Sequence, residues 1–119
     1  MQALAERIEG MEIGTTVQPT GLNGVNIQTS VAYRRGGWVN LSMNFQAPGG
    51  GLGQSVGIAT LPVGYRPPHD YFFVANNGAV FITIIMAAAG HLACTSHAIP
   101  ANEGIYGTIF FPAAAGAAP

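Results

Sequence analysis

Tyr71-Phe72-Phe73-Val74-Ala75-Asn76-Asn77-Gly78-Ala79-Val80-Phe81-Ile82-Thr83-Ile84-Ile85-Met86 is the stretch that decides the fold class of this chain. Two runs rich in β-branched and aromatic residues flank Asn77-Gly78, the strongest short-range signal for a hairpin turn. Strands are expected over 71–76 and 79–86. Alternation puts Tyr71, Phe73, Val80, Ile82 and Ile84 on one face and Phe72, Val74, Phe81 and Ile85 on the other. Both faces are apolar, so the sheet should be covered on both sides. The core covers one side. In a chain with so little helix, the expected second cover is another copy of the same protein.

Upstream, Val25, Ile27, Thr29, Val31 and Tyr33 alternate with polar neighbours, as do Val39, Leu41, Met43 and Phe45, which predicts two half-buried strands. A two-residue Gly36-Gly37 turn would set Tyr33 against Asn40 and mismatch these faces. A three-residue loop Arg35-Gly36-Gly37 pairs Tyr33 with Val39 and Val31 with Leu41. The same register sets Arg34 opposite Trp38 on the polar face, within cation–π reach. Weaker strands are expected near Ser55–Leu61 and His91–His97, and Ile105–Phe111 is apolar on both faces. The expected fold is all-β: an antiparallel β-sandwich or jelly-roll-like barrel of about seven strands over residues 15–112. The Ala113–Pro119 tail has too little apolar bulk to order itself.

Composition agrees with that class and excludes others. The chain has 119 residues, enough for one domain with its own core. Hydrophobic residues make up 49% and charged residues only 8%, against about 25% charged in an ordinary soluble domain. Much of the surface must be uncharged or lost to subunit contacts. Gly 17 and Pro 8 imply many turns. A net charge of -1 offers no basic field for nucleic acid. The longest apolar run, Val80 to Ala89, is about half a membrane span, so no membrane insertion is expected. No secretory leader pattern opens the chain. Cys94 has no cysteine partner within the chain for a disulfide.

Residues 1–14 read differently. Met1, Leu4, Ile8 and Met11 fall on a and d of two heptads, with Arg7 at g and Glu12 at the following e, the spacing that pairs charges across a parallel coiled coil. A helix this short is marginal alone, so a trimeric stem needs a head that is itself oligomeric. The alternative is a single amphipathic helix packed on its own domain.

The segment Ile58-Ala59-Thr60-Leu61-Pro62-Val63-Gly64-Tyr65-Arg66-Pro67-Pro68 follows a Gly36-Gly37-Trp38-Val39 strand start and precedes a closing strand from Ile105 to Pro112. Together these resemble the head modules that end tailed-phage tail fibres and receptor-binding proteins. The likeness spans residues 25–112 and is most specific at Leu61-Pro62-Val63-Gly64-Tyr65-Arg66-Pro67. It implies a homotrimer of β-sandwich heads on a short stem, a non-enzymatic structural protein of the virion, assembled in the host cytoplasm. It also implies contacts with other virion proteins and a role in attachment to the host surface, where carbohydrate is the expected ligand class. Because the chain starts at Met1 with only two heptads of stem, it could be a small stand-alone protein that decorates the capsid. A third reading is a small polysaccharide-degrading enzyme. In purely physical terms, Pro62 suits the second position of a type I turn and Gly64 the fourth. Arg66 before Pro67-Pro68 is biased to extended backbone.

Groups able to do chemistry are few. Outside the first fourteen residues the only carboxylates are Asp70 and Glu103, both in loop-like sequence, and a glycosidase pair needs defined spacing. His91 and His97 could share one strand face but lack a third ligand type, so no metal or cofactor is expected. Cys94 sits at an odd offset from both, against a Cys–His nucleophile. Gly49-Gly50-Gly51-Leu52-Gly53 lacks the Gly-Lys-Ser/Thr of a phosphate loop. The richer surface is the polar face of the first hairpin, where Gln28, Asn40 and Asn44 surround Trp38 and Arg34. Amides beside an aromatic ring can hydrogen-bond and stack a sugar.

Overall fold

The computed structural model describes residues 15–114, so the expected helix and stem residues Leu4, Arg7, Ile8, Met11 and Glu12 lie outside the described residues. Ten strands run in chain order: β1 (Thr15–Val17), β2 (Thr20–Gly21), β3 (Asn26–Ile27), β4 (Val31–Arg35), β5 (Trp38–Gln46), β6 (Gly57–Thr60), β7 (Tyr71–Asn76), β8 (Phe81–Met86), β9 (His91–Cys94) and β10 (Gly104–Pro112). All pair antiparallel in one sheet of order β1-β4-β5-β10-β7-β8-β9-β6-β2, with β3 also on β5. The sheet curls into a half-barrel of the β-sandwich or jelly-roll kind. Strands β5 to β10 match six of the seven expected from sequence, β3 and β4 together make the seventh, and the additional β1 and β2 are two or three residues long. Periodicity cannot register elements that short.

The core lies inside the curl. Leu41, Phe45, Ile82, Ile84, Met86, Leu92, Ile105, Ile109 and Phe111 are fully buried. The longest ladder holds the two long strands together, with β5 and β10 matched from Trp38↔Pro112 to Gln46↔Gly104. By contrast β10 meets β7 in register only at Tyr106↔Asn76. Beyond that pair the inner side is filled by Phe73 against Phe111, ring centres 6.2 Å apart.

The first hairpin departs from expectation. Arg35 pairs with Trp38, Arg34 with Val39, Tyr33 with Asn40 and Ala32 with Leu41. The loop is the two-residue Gly36-Gly37, not the three-residue one. Consequently Arg34 is not opposite Trp38, and the buried residue of β4 is Ala32 while Val31 is exposed. The extra residue that faces had to absorb sits upstream instead: β3 pairs Ile27 with Phe45 and β4 pairs Val31 with Ser42. Three residues, Gln28 to Ser30, therefore oppose the two residues Met43 and Asn44, a bulge that flips the phase of the strand. Ser30 is buried there and its hydroxyl donates to the Ser42 carbonyl at 2.5 Å. Val25 and Ile27 keep their inward face because they precede the bulge.

The second hairpin keeps the expected faces of its paired residues but turns one residue later, so Val80, expected on the core face, lies exposed in the turn instead. Asn76 pairs with Phe81, and the Asn77 amide donates to the Val80 carbonyl, so Gly78-Ala79 form the tip. The Asn77 side-chain oxygen accepts from the amides of Ala79 and Val80, and the Asn76 oxygen accepts from Gly78. These side chains brace the turn beside the Asn77–Val80 backbone bond.

The corner Leu61–Pro68 is likewise one residue out of step. The Tyr65 amide donates to the Pro62 carbonyl at 3.1 Å, making Pro62 the first and Gly64 the third residue of the turn. Buried Leu61 offers its carbonyl to Arg66 Nε at 2.8 Å, and buried Tyr65 reaches Thr15 Oγ1 at 2.8 Å. Arg34 Nη1 donates to the Gly64 carbonyl at 2.6 Å. The start of the closing tail is bound here too, with Ala113 donating to Gly37 and Ala114 to Arg66, each at 2.8 Å. Residue 15 and residue 114 therefore leave the barrel from the same end, next to the Leu61–Pro68 corner. The Asn77–Val80 tip and the loops at 47–53 and 99–103 lie at the other.

Candidate functional site

Burying Val39 and Leu41 forces Trp38 and Asn40 to the outside of β5 by the period of two. The neighbouring strands supply their companions. On one side β4 presents Arg35 and Tyr33, the register partners of Trp38 and Asn40. On the other, β10 presents Phe110, partner of Asn40. Trp38 and Phe110 are diagonal neighbours and stack face to face, ring centres 4.9 Å apart with planes 4° from parallel. Tyr33, Arg35, Trp38, Asn40 and Phe110 together line a cleft of about 270 Å³. That is below the roughly 300–1,000 Å³ of drug-sized pockets, so it suits one ring rather than a large ligand. Both aromatic rings stay about half exposed, Trp38 at 49% and Phe110 at 56%.

The cleft joins an apolar platform to polar groups that can direct a ligand. An aromatic face stacks on the C–H side of a sugar, while an amide, a phenol and a guanidinium take its hydroxyls. Of the residues singled out from sequence, Trp38 and Asn40 are brought together here and the other three are not. Arg34 turns to the corner, its Nε on the Gly36 carbonyl at 3.0 Å and Nη1 on Gly64. Asn44 donates to Thr29 Oγ1 at 2.7 Å, and Gln28 donates to Gln46 Oε1 at 3.3 Å, both further along β5 toward the opposite end of the barrel. Tyr33, Arg35 and Phe110 were missed. The two-residue turn would have revealed the first two. Phe110 needed the knowledge that β10 lies beside β5, which no local pattern carries.

The remaining reactive groups stay apart. Asp70 accepts from the Ala88 amide beside the Leu61–Pro68 corner, whereas Glu103 precedes the far end of the nine-residue β10. A strand of that length spans on the order of 25 Å, well beyond the roughly 5–10 Å of a glycosidase pair. His69 stacks on Tyr71 at 4.4 Å, and His97 Nδ1 meets Ser96 Oγ at 3.0 Å. Cys94 is buried. Among the described residues no three His, Cys, Asp or Glu side chains gather to hold a metal ion.

No family model matches the chain, and no curated protein does. Among solved structures its fold is similar to the receptor-binding protein (gp15) of Listeria phage PSA. The two superpose with a TM-score of 0.65 over 94% of this chain and 74% of that one, at 19% sequence identity. At that identity the likeness is one of fold, and it covers nearly the whole chain without bearing on the Leu61–Pro67 motif in particular.

Proposed function

We propose that this chain is the head of a virion-surface attachment protein of a tailed phage, a homotrimer that docks on host surface carbohydrate through the cleft at Trp38 and Phe110. The observation that carries this reading is the fold likeness over nearly the whole chain to a phage receptor-binding protein. The cleft adds a ligand class: a stacked aromatic pair beside Asn40, Tyr33 and Arg35 has the chemistry of a sugar subsite. Residues 1–14 would form the parallel stem, with Leu4, Ile8 and Met11 in its seam and Arg7 paired to Glu12 of a neighbour. The exit of residue 15 and residue 114 from one end of the barrel supports a stem and virion contacts at that end, leaving the flanks and the opposite tip open to the host. Arg34 fixes the corner beside the cleft, and Asn44 and Gln28 stiffen the strand beyond it.

Trp38 is the only tryptophan in the chain, so its fluorescence reports on the cleft directly. Titration with host cell-wall polysaccharide should change its emission saturably, and excess protein should block adsorption of the phage that carries it. No change in emission with any wall polysaccharide of a host that phage adsorbs to, together with unimpeded adsorption, would overturn the proposal.

A further inference from the structure

The outward face of β7 and β8 carries Phe72 at 64% exposure, Val74 at 67% and Phe81 at 81%. Register places Ile85 beside Phe72 and Thr83 beside Val74 on this same face. Folding of one copy does not need these side chains, because the inner face of the same strands is already filled by Ala75, Ile82, Ile84 and Met86. Two phenylalanines and one valine left at these exposures present roughly 400 Å² of apolar surface, taking about 200 Å² for a whole Phe. A stable protein contact buries about 800 Å² per partner, of which some 57–65% is apolar, or about 500 Å². With the half-buried Ile85 beside Phe72, the face comes close to the size that one lasting contact requires.

We infer that this face is where copies of the chain meet. The inference rests on the trimeric-head reading above and names the surface that would hold the heads together. Charge supports a copy of the chain as occupant: Arg34, Arg35, Arg66, Asp70 and Glu103 are the charged residues of 15–114, and none is on this face. An uncharged surface offers nothing that selects a charged partner and nothing that repels its own copy. It is also pre-organised, since six consecutive pairs from Tyr71↔Met86 to Asn76↔Phe81 fix its backbone, so little ordering opposes association.

The test is the mass of the full chain by light scattering at micromolar concentration, beside Phe81→Asp and Thr83→Arg variants. Both positions point outward, so circular dichroism should be unchanged in each. Wild type should give three times the 12.3 kDa chain mass, and each variant should associate at least tenfold more weakly. A single-copy mass for wild type, as when residues 1–14 of the same chain cover the face, would overturn the inference. So would variants that keep the full mass. Blocking of phage adsorption is scored on the same samples: a single-copy wild type that still blocks adsorption refutes this interface and leaves the attachment reading standing, whereas an intact trimer that fails to block does the reverse.

Discussion

Gly90→Ala is expected to destabilise the domain far more than Gly36→Ala, although both glycines have positive φ, +101° and +61°. A methyl group at Gly36 meets nothing within 4 Å, whereas at Gly90 it would collide with Arg66 Nε and lie 2.8 Å from the Leu61 carbonyl oxygen. The left-handed backbone alone costs an alanine about 1–2 kcal/mol, and the stiffer unfolded chain returns about 0.4–1 kcal/mol at either position. Only Gly90→Ala must also drive the guanidinium off Leu61, forfeiting a charge-assisted hydrogen bond worth about 1.5–3 kcal/mol. The net expectation is about 0–1 kcal/mol for Gly36→Ala and about 2–4 kcal/mol for Gly90→Ala, a difference on the order of 10 °C in melting temperature. Denaturant titration at one fixed protein concentration measures both. In an Arg66→Ala background the Gly90→Ala penalty should shrink by about 1–2 kcal/mol, since the crowded group is gone, without vanishing, since the Leu61 carbonyl remains. Equal losses at the two glycines, or strict additivity with Arg66→Ala, would refute the claim that Arg66 under Gly90 locks the Leu61–Pro68 corner.

Other substitutions separate binding from folding. Phe110→Ala should leave the melting temperature within a few degrees of wild type, because the ring is more than half exposed, while weakening polysaccharide binding roughly tenfold, as loss of a stacking contact of about 1–1.5 kcal/mol requires; tryptophan fluorescence titration checks it. Phe111→Ala, one residue on and facing inward against Phe73, should cost about 3–5 kcal/mol in denaturant unfolding and leave sugar affinity unchanged in the folded fraction. Ser30→Ala should cost about 1–2 kcal/mol, since it strips the buried hydroxyl that holds the bulge to Ser42. The Cys94 thiol should resist a thiol reagent until the domain unfolds, so its labelling rate should follow the population of the open state.

The long strands were legible because each buries one face on a fixed period: Val39, Leu41, Met43 and Phe45 point inward as read, and so do Phe73, Ile82 and Ile84. Position along the ladder was less legible. Gly36-Gly37 is compatible with loops of two or three residues, and the choice between them assumed an unbroken strand from Val25 to Tyr33. The bulge at Gln28–Ser30 carries no glycine or proline to mark it, since its stabilising contacts are a serine hydroxyl on a distant carbonyl and Asn44 on Thr29. Moving one residue there inverted β4 and exchanged Arg34 for Arg35 beside Trp38. The cleft was half legible for a related reason. Trp38 and Asn40 share a strand and follow from alternation, but Phe110 is 72 residues from Trp38 in sequence and joins it only because β10 inserts between β5 and β7. Strand order of that kind is set by how the whole core closes, not by any local run of residues.

Host attachment is tested most directly by immunogold electron microscopy of the intact virion with antibodies raised against the chain. Label confined to the tip of the tail is the expected result. Label spread over the capsid would contradict attachment and make the chain a decoration protein, with the Trp38 cleft a plain stretch of its outer surface.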